Sequence, residues 1–243
     1  MNSSFLNHIR SLTPTLSAGI IAGDVMHLAE NISTLEKAGV ELLHFDIMDG
    51  VFCPNITAGA WFVKSIKTKM IKDVHLMIVN PEVKLESFVE AGADIITVHY
   101  EAGATHIHAL LQSIKKLKNA NSPDRNIIAG IAINPGTPVE AIKNVLDVAD
   151  MITILAVNPG WQHQSFIKTT KQKIETAISL IGESGRDILL CLDGGITKDN
   201  IVDVSHMGTD IVVAGSAIFD GKDIIGNAKF FIDTLKKGRT KSI

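Results

Sequence analysis

The sequence has few cysteines, and this scarcity excludes a disulfide-stabilised fold. Cys53 and Cys191 are the only two cysteines in 243 residues. Two thiols so far apart cannot form a disulfide framework, and the chain has neither a CxxC spacing nor a cysteine-rich zinc pattern. We therefore expect both to be small buried side chains in a reducing compartment.

The chain also lacks an excess of charge of either sign. It has 23 lysines and arginines against 26 aspartates and glutamates, a net charge of -3. Such a balance provides no basic field that would attract nucleic acid or an anionic membrane. We expect no nucleic-acid partner, and a phosphorylated substrate would have to be bound by local groups.

Long apolar segments are absent as well. No run approaches the roughly 20 residues that a membrane-spanning helix needs, and residues 1–14 lack the apolar segment of a signal peptide. The sequence therefore predicts no membrane partner and a cytoplasmic location. Its hydrophobic content of 46% and charged content of 20% are typical of a globular protein.

Short β-branched apolar runs alternate with longer segments of helical periodicity. Strands are predicted at 16–21, 41–46, 73–77, 94–98, 127–133, 151–155, 188–192 and 210–213. Helices are predicted at 25–38, 61–69, 81–91, 105–117, 139–148, 166–181, 198–206 and 226–235. Alternation of this kind predicts a parallel sheet, since parallel strands need crossover helices.

Eight such pairs predict an α/β fold, a single (β/α)₈ TIM barrel. The barrel domain would span 1–243, with 1–14 as an N-terminal extension. Gly39, Gly92 and Gly208 each follow a predicted helix and precede a strand. Helices commonly end at such a position with a glycine in the left-handed backbone conformation. The alternative is an open doubly wound sheet, but no G-x-G-x-x-G follows the first strand.

Polar residues at the ends of three predicted strands could bind a metal. His44 and Asp46 lie on the same face of the second strand, because side chains alternate along a strand. His75 lies near the end of the third strand, and Asp193 follows the seventh. Each alone would be an ordinary structural histidine or turn aspartate. Together, at the catalytic end of a barrel, they suit a divalent transition metal.

Glycine-rich segments after the last three predicted strands are candidates for binding a phosphate. They contain Gly160, Gly194-Gly195 and Gly215-Ser216, and the last pair is expected to begin a short helix. Glycines let backbone N–H groups approach an oxyanion, and these loops commonly bind phosphate in this fold. An ordinary turn is the alternative for each glycine.

Several segments, in the same order, resemble the ribulose-phosphate 3-epimerase family. They are HFDIMDGVFCPNIT (44–57), DVHLM (73–77), EAGADIITVHYEA (90–102), NPGTP (134–138), VNPG (157–160), QSF (164–166), LDGGI (192–196) and VAGSAIF (213–219). The resemblance implies a TIM barrel of the ribulose-phosphate-binding type. It also implies an isomerase that epimerises a ketose phosphate at carbon 3 through an enediolate. The expected pair is D-ribulose 5-phosphate and D-xylulose 5-phosphate.

The resemblance also implies a role for each candidate residue. His44, Asp46, His75 and Asp193 would bind one divalent metal ion, for which zinc, iron, manganese and cobalt are all acceptable. Asp46 and Asp193 would be the two acid/base groups, one on each face of carbon 3. Met48, Met77 and Leu155 would line the pocket. The substrate-binding residues would be His75, Gly160, Trp161, Gln162, His163, Gly194, Gly195, Gly215 and Ser216. The protein would be a homo-oligomer, a dimer or hexamer.

The chain departs from the family pattern at the rim of the predicted site. Gly19 stands where the family has a serine that contacts substrate, and the usual Gly-Phe-Gly-Gly-Gln reads Gly-Trp-Gln-His-Gln at 160–164. Val51 replaces a histidine and Cys191 a glutamate. These changes leave open an epimerase of a related pentulose or hexulose phosphate, such as allulose 6-phosphate.

Two other functions compete with epimerisation. A decarboxylase or Schiff-base aldolase on the same barrel needs a lysine at the site, but Lys69 is predicted in a helix and Lys72 before its strand. A non-catalytic sugar-phosphate-binding protein is supported only by Gly19 and the altered 160–164 loop.

Overall fold

The computed structural model describes residues 2–103, 105–161 and 164–239, and within them eight parallel strands close into a barrel. The strands of the chain are β1 (Thr15–Gly19), β2 (Leu42–Met48), β3 (Ile71–Met77), β4 (Ile95–His99), β5 (Lys118–Asn119), β6 (Ser122–Asn126), β7 (Ile128–Ile133), β8 (Met151–Leu155), β9 (Leu189–Asp193) and β10 (Ile211–Ala214). The barrel order is β1-β10-β9-β8-β7-β4-β3-β2, while β5 and β6 form a separate antiparallel pair. The predicted (β/α)₈ barrel is confirmed.

Helical segments alternate with the barrel strands. The α-helices are α1 (Asn2–Leu12), α2 (Leu28–Ala38), α3 (Ala60–Ser65), α4 (Leu85–Glu90), α5 (Tyr100–Gly103), α6 (Ile107–Lys116), α7 (Thr170–Ser184), α8 (Ile201–Ser205) and α9 (Ile224–Arg239). Short 3₁₀ helices lie at Ile20–Ala22, Val25–His27, Pro81–Val83 and Val139–Val145. None of these described helices is both long and apolar enough to cross a membrane.

Most differences from the predicted elements lie at their ends. The first strand ends at Gly19 because the chain turns into the 3₁₀ helix Ile20–Ala22. Lys72 lies within β3, so its predicted position before the strand is wrong. Its buried Nζ donates to the carbonyl oxygens of Val63 (2.6 Å) and Ala91 (3.1 Å) in the helical layer, away from the carboxyl end of the strand.

Glycines at three helix-to-strand joints have the expected left-handed backbone. The φ angles of Gly39, Gly92 and Gly208 are 84°, 86° and 85°. A side chain in this conformation would be strained, so glycine ends each helix and lets the chain enter the next strand.

Side chains alternate between two buried regions along each barrel strand. One set packs between the strands and the helices, as Leu43, Phe45 and Ile47 of β2 do. The other set points into the barrel, where Leu42 is apolar and His44 and Asp46 are polar. The interior of the barrel is therefore apolar at the amino ends of the strands and polar at the carboxyl ends.

Helix α1 covers the apolar end of the barrel and is absent from the predicted elements. Phe5, Leu6 and Ile9 are buried against inward-facing strand residues. Those residues are Leu42, Ile71, Ile95, Ile128, Met151, Leu189, Cys191, Ile211 and Val213. Arg10 adds ion pairs to Asp187 (2.5 Å) and Asp210 (2.6 Å). The predicted 1–14 extension thus contains a helix that packs on the barrel, while the single domain over 1–243 stays a prediction.

Truncating the centre of this contact tests the role of α1. Ile9 is fully buried, so Ile9→Ala is expected to lower the free energy of unfolding by about 2–5 kcal/mol. Urea unfolding followed by circular dichroism measures the change. Ile225→Ala is the matched control, since Ile225 is also helical but 36% exposed. An equal effect of the two substitutions would contradict the packing role.

Candidate active site

Strands β2, β3 and β9 bring His44, Asp46, His75 and Asp193 together at the carboxyl end of the barrel. One ligand atom from each residue lies within 4.8 Å of all the others. His44 Nε2 is 3.2 Å from Asp46 Oδ1 and 3.7 Å from Asp193 Oδ2. His75 Nδ1 is 3.7 Å and 3.3 Å from the same two atoms. The predicted residues therefore form one cluster, as their strand-end positions indicate.

The two histidines are buried beneath the two more accessible carboxylates. The His44 and His75 side chains are 2% and 0% exposed, whereas those of Asp46 and Asp193 are 25% and 13% exposed. The carboxylates thus face the open end of the barrel. His75, also predicted to bind substrate, lies below this opening, and that role stays a prediction.

A buried carboxylate orients His44. Asp73 Oδ2 lies 2.8 Å from His44 Nδ1 and accepts a hydrogen bond from Ser17 Oγ at 3.0 Å. A carboxylate on Nδ1 leaves Nε2 of His44 to face Asp46 and Asp193. Ser17 therefore acts at Asp73 beneath the site, and the loss of the family's serine at Gly19 is not compensated by Ser17.

The loop after β2 fixes the backbone of Asp46. Thr57 Oγ1 donates to the Asp46 carbonyl at 2.5 Å and accepts from Met48 N–H at 3.0 Å. Asp49 accepts from the N–H groups of Val51 (2.9 Å) and, across to the loop after β3, Val79 (2.8 Å). These contacts tie the strand end that carries Asp46 to its neighbours.

Opposite charges set the proton affinities in the cluster. Burial alone would lower the pKa of His44, but the Asp73 and Asp46 carboxylates raise it well above its ordinary value. Burial alone would also lower the pKa of His75, but the nearby Asp193 and Asp46 carboxylates raise it. For Asp46, burial would raise the pKa, while His44 and His75 hold it well below its usual range. The site therefore favours positive charge between its carboxylates.

The donor set fits a divalent metal. In the described part of the chain, the buried Nδ1 of His75 has no hydrogen-bond partner, although it points at the cluster. Such an orphaned nitrogen beside a second imidazole and two carboxylates matches the ligand preference of zinc, iron, manganese or cobalt. His44, Asp46, His75 and Asp193 would hold the ion.

A cleft of about 550 Å³ opens above the cluster. Asp46 and Asp193 lie in its wall, and so do Met48, Met77 and Leu155, the residues implied by the family resemblance. Asn55 and Thr57 also line it, and sequence reasoning missed them. Two polar residues so soon after Met48-Asp49-Gly50 could have been predicted to line the site. A volume of this size suits a small molecule.

Glycines form the far wall of the cleft. Gly194 and Gly195 have φ angles of 99° and 69°. A Cβ at Gly194 would clash with Val157 Cγ2, and one at Gly195 would lie 2.9 Å from the backbone N of Phe166. Glycine at both positions lets the loop after β9 turn sharply beside Asp193 and approach the loop after β8.

The same wall also contains Gly160, Trp161, Gly215 and Ser216. The expected short helix at Gly215-Ser216 is instead a single turn, in which the N–H groups of Ile218 and Phe219 donate to the Gly215 carbonyl at 2.8 and 3.1 Å. Trp161 is 59% exposed. Gln162 and His163 lie outside the described residues.

Gly19 also lines the cleft, and a side chain would fit there. Its backbone has φ -73° and ψ 95°, a conformation open to any residue. A Cβ would lie 3.4 Å from Gly215 Cα, an ordinary contact. The space left by Gly19 is therefore a feature of the sequence and not a requirement of the backbone.

Buried partners of the predicted ligands were not predicted from the sequence. Asp73 precedes His75 by two residues and so lies on the same face of β3. This spacing could have predicted that Asp73 lies close to the cluster. His99 and Glu101 lie behind His75. Burial lowers the pKa of His99 to about 4. Burial would raise the pKa of the Glu101 carboxyl, but hydrogen bonds from His99 and Thr137 lower it to about 2.

Comparison with known proteins gives one consistent family. A family model described as the ribulose-phosphate 3 epimerase family matches residues 15–219. The ribulose-phosphate 3-epimerase of Synechocystis sp. is 41% identical over 208 residues, which cover 84% of this chain and 87% of the relative. That of Escherichia coli (strain K12) is 38% identical over 211 residues, 86% of this chain and 90% of the relative.

A solved structure shares the fold. The crystal structure of 3-hexulose-6-phosphate synthase from Salmonella typhimurium aligns with a TM-score of 0.70 over 92% of this chain and 99% of that one. The sequence identity is 15%, so this likeness concerns the fold alone.

Proposed function

This chain belongs to the ribulose-phosphate 3-epimerase family, and we propose that it interconverts D-ribulose 5-phosphate and D-xylulose 5-phosphate, with Asp46 and Asp193 as its acid/base pair. The observation that carries the proposal is the placement of these two carboxylates. They come from β2 and β9, which are three strands apart around the barrel, and both line the same cleft. They can therefore approach a bound sugar from different sides.

The glycine wall supports a bound phosphate. Gly160, Gly194, Gly195, Gly215 and Ser216 lie in the same cleft as the two carboxylates. Backbone N–H groups of such turns bind phosphate without a surplus of basic side chains, in keeping with the net charge of -3. A phosphate held there directs the sugar carbons towards Asp46 and Asp193.

The two carboxylates would remove one proton from carbon 3 and replace it with another. One takes the proton from carbon 3, which is acidified by the neighbouring ketone, and leaves an enediolate. The other gives a proton to the opposite face of carbon 3, so the configuration is inverted. In the reverse direction the two residues exchange roles. A divalent metal, when bound, supplies a Lewis acid for the negative charge on the substrate oxygens.

The cleft gives no support to a lysine-dependent reaction. Among the described residues that line it there is no lysine, and Lys72 is buried in the helical layer. A Schiff-base aldolase would need an amine next to the substrate carbonyl. An acid/base mechanism uses the groups that the cleft does contain.

A panel of ketose phosphates tests the proposal. We expect the highest kcat/KM on D-ribulose 5-phosphate, and NMR in D₂O should show exchange of the proton at carbon 3. Absence of exchange with every ketose phosphate tested would overturn the enzymatic function and leave a non-catalytic sugar-phosphate-binding protein.

A related substrate is a second candidate, and Gly19 favours it. The missing side chain leaves space in the cleft wall next to Gly215, and a hexulose phosphate such as allulose 6-phosphate needs more room than a pentulose phosphate. A higher kcat/KM on the hexulose phosphate in the same panel would select this candidate.

Restoring the family's serine probes this part of the cleft. We expect Gly19→Ser to lower the KM for D-ribulose 5-phosphate by roughly 2- to 10-fold with little change in kcat, since one added hydrogen bond contributes about 0.5–1.5 kcal/mol. Steady-state kinetics measures both constants. Gly182→Ser, on an exposed position of α7 with no neighbour within 4 Å, is the control. An unchanged or higher KM would show that the serine does not serve this substrate.

Three finer features belong to the same proposal. We propose zinc, iron, manganese or cobalt as the metal, because the His₂Asp₂ donor set accepts each of them. A homo-oligomer, dimer or hexamer, follows the family resemblance. A cytoplasmic location is the third feature.

A further inference from the structure

Behind His75, away from the cleft, two more polar side chains continue the line that begins at Asp193. His75 Nε2 lies 2.9 Å from His99 Nε2, and His99 Nδ1 lies 3.1 Å from Glu101 Oε2. Both imidazoles are fully buried, and their ring planes are 14° apart. Neither His99 nor Glu101 lies in the wall of the cleft, and neither takes part in the proton transfer proposed for Asp46 and Asp193.

Glu101 is held as a hydrogen-bond acceptor. Its Oε1 accepts from the backbone N–H of Asn134 at 2.8 Å and from the Thr137 hydroxyl. With these donors on one oxygen, the carboxylate is ionised and its Oε2 accepts from His99. The proton of a neutral His99 therefore lies on Nδ1, and its Nε2 carries the lone pair.

The tautomer of His99 determines the tautomer of His75. Because Nε2 of His99 is an acceptor, the Nε2 of His75 must carry a proton and donate it. A neutral His75 then has its lone pair on Nδ1, the atom that points at Asp46 and Asp193 and has no hydrogen-bond partner in the described part of the chain. The alternative, a His99 with both protons, would place a cation on a fully buried ring.

We propose that His99 and Glu101 are positioning residues that hold His75 in the tautomer able to bind a metal through Nδ1. The other histidine of the cluster, His44, has the direct form of the same arrangement, since Asp73 contacts its Nδ1 at 2.8 Å. For His75 the Glu101 carboxylate acts through the imidazole of His99, which lies between the two. Carboxylates behind ligating histidines fix the tautomer and raise the basicity of the ligand.

Glu101→Gln tests the role with little change in shape. The amide of glutamine has one acceptor oxygen and one donor nitrogen. It therefore cannot accept from Asn134, Thr137 and His99 together. We expect the affinity of the folded protein for Zn²⁺, measured by competition with a chromophoric chelator, to fall about 10- to 100-fold. The absorption spectrum of the Co²⁺-loaded protein should change as well.

The surface pair His108 and Asp147 is a matched control. Its nitrogen–oxygen distance is 3.1 Å, as in the His99–Glu101 pair, but both side chains are exposed. Asp147→Asn should leave the Zn²⁺ affinity and the Co²⁺ spectrum unchanged. Circular dichroism and thermal unfolding of all variants separate a loss of fold from a loss of metal affinity.

Two further measurements keep the proposal testable if Glu101→Gln folds poorly. Replacing His99 should give a graded loss of Zn²⁺ affinity: His99→Gln keeps an oxygen that can accept from His75, whereas His99→Phe keeps none. ¹⁵N NMR of the metal-free wild type, recorded at a pH above the raised pKa of His75, should show the neutral ring protonated at Nε2 and unprotonated at Nδ1. Zn²⁺ affinity within twofold of the wild type in His99→Phe, or the opposite tautomer, would overturn the proposal.

The inference rests on the metal site of the proposed function, and the experiment separates the two. A wild-type protein that binds no divalent metal would overturn both. A wild type that binds Zn²⁺ as tightly as the Glu101→Gln and His99→Phe variants would overturn only the positioning role.

Discussion

Asp193→Asn and Asp46→Asn are each expected to lower kcat for epimerisation by roughly a thousandfold or more, which corresponds to removal of a general acid/base group. Asparagine keeps the shape of aspartate but neither takes nor gives the proton. Inversion at carbon 3 needs both carboxylates, because a single group returns the proton to the face from which it came.

Proton exchange in D₂O distinguishes the two residues. At saturating metal, each variant should retain exchange only with the epimer whose carbon 3 proton faces the remaining aspartate. Asp233→Asn, an exposed position on α9, makes the same chemical change away from the site and should be neutral. Epimerisation by either site variant within tenfold of the wild-type rate would refute the two-carboxylate mechanism.

Complete removal of divalent metal is expected to abolish epimerisation reversibly. Dialysis against a chelator should bring kcat to background, and addition of Zn²⁺, Fe²⁺, Mn²⁺ or Co²⁺ should restore it. The physical reason is the cluster itself, in which two carboxylates and two imidazoles place one ligand atom each within 4.8 Å. Full activity of protein shown by elemental analysis to be metal-free would contradict this expectation.

Metal binding should also stabilise the fold. At a hundred times the dissociation constant, a ligand adds about 2.7 kcal/mol to the free energy of unfolding, or roughly 5–10 °C in Tm for a chain of this size. His75→Asn should lose this shift, whereas the surface variant His108→Asn should keep it. A shift that persists in His75→Asn would place the metal elsewhere.

The architecture and the four residues of the cluster could be predicted because they depend on local patterns. Alternating apolar runs marked the strands, and the period of two along an extended chain placed His44 and Asp46 on one face of β2. Gly39, Gly92 and Gly208 marked helix ends for an equally local reason, since only glycine adopts their positive φ without strain.

Other features depended on contacts between distant segments. In α1, Phe5 and Ile9 are four residues apart, a helical spacing, but the surface that they cover exists only once the barrel closes. Lys72 was misplaced because the start of β3 is set by pairing with β2, where Leu42 lies beside Ile71. The contact of Asn55 with the Gly160 carbonyl likewise joins residues 105 positions apart.

The sequence by itself determined the barrel, the family, and which residues share the inner face of each strand at its carboxyl end. Only the tertiary structure decided which of those residues touch. The register that sets Asp46 beside His75 and His44 beside Asp73, and the approach of His99 to His75, follow from strand pairing and closure of the whole barrel. Alternation is a property of one extended backbone, whereas register is a property of neighbouring strands packed together.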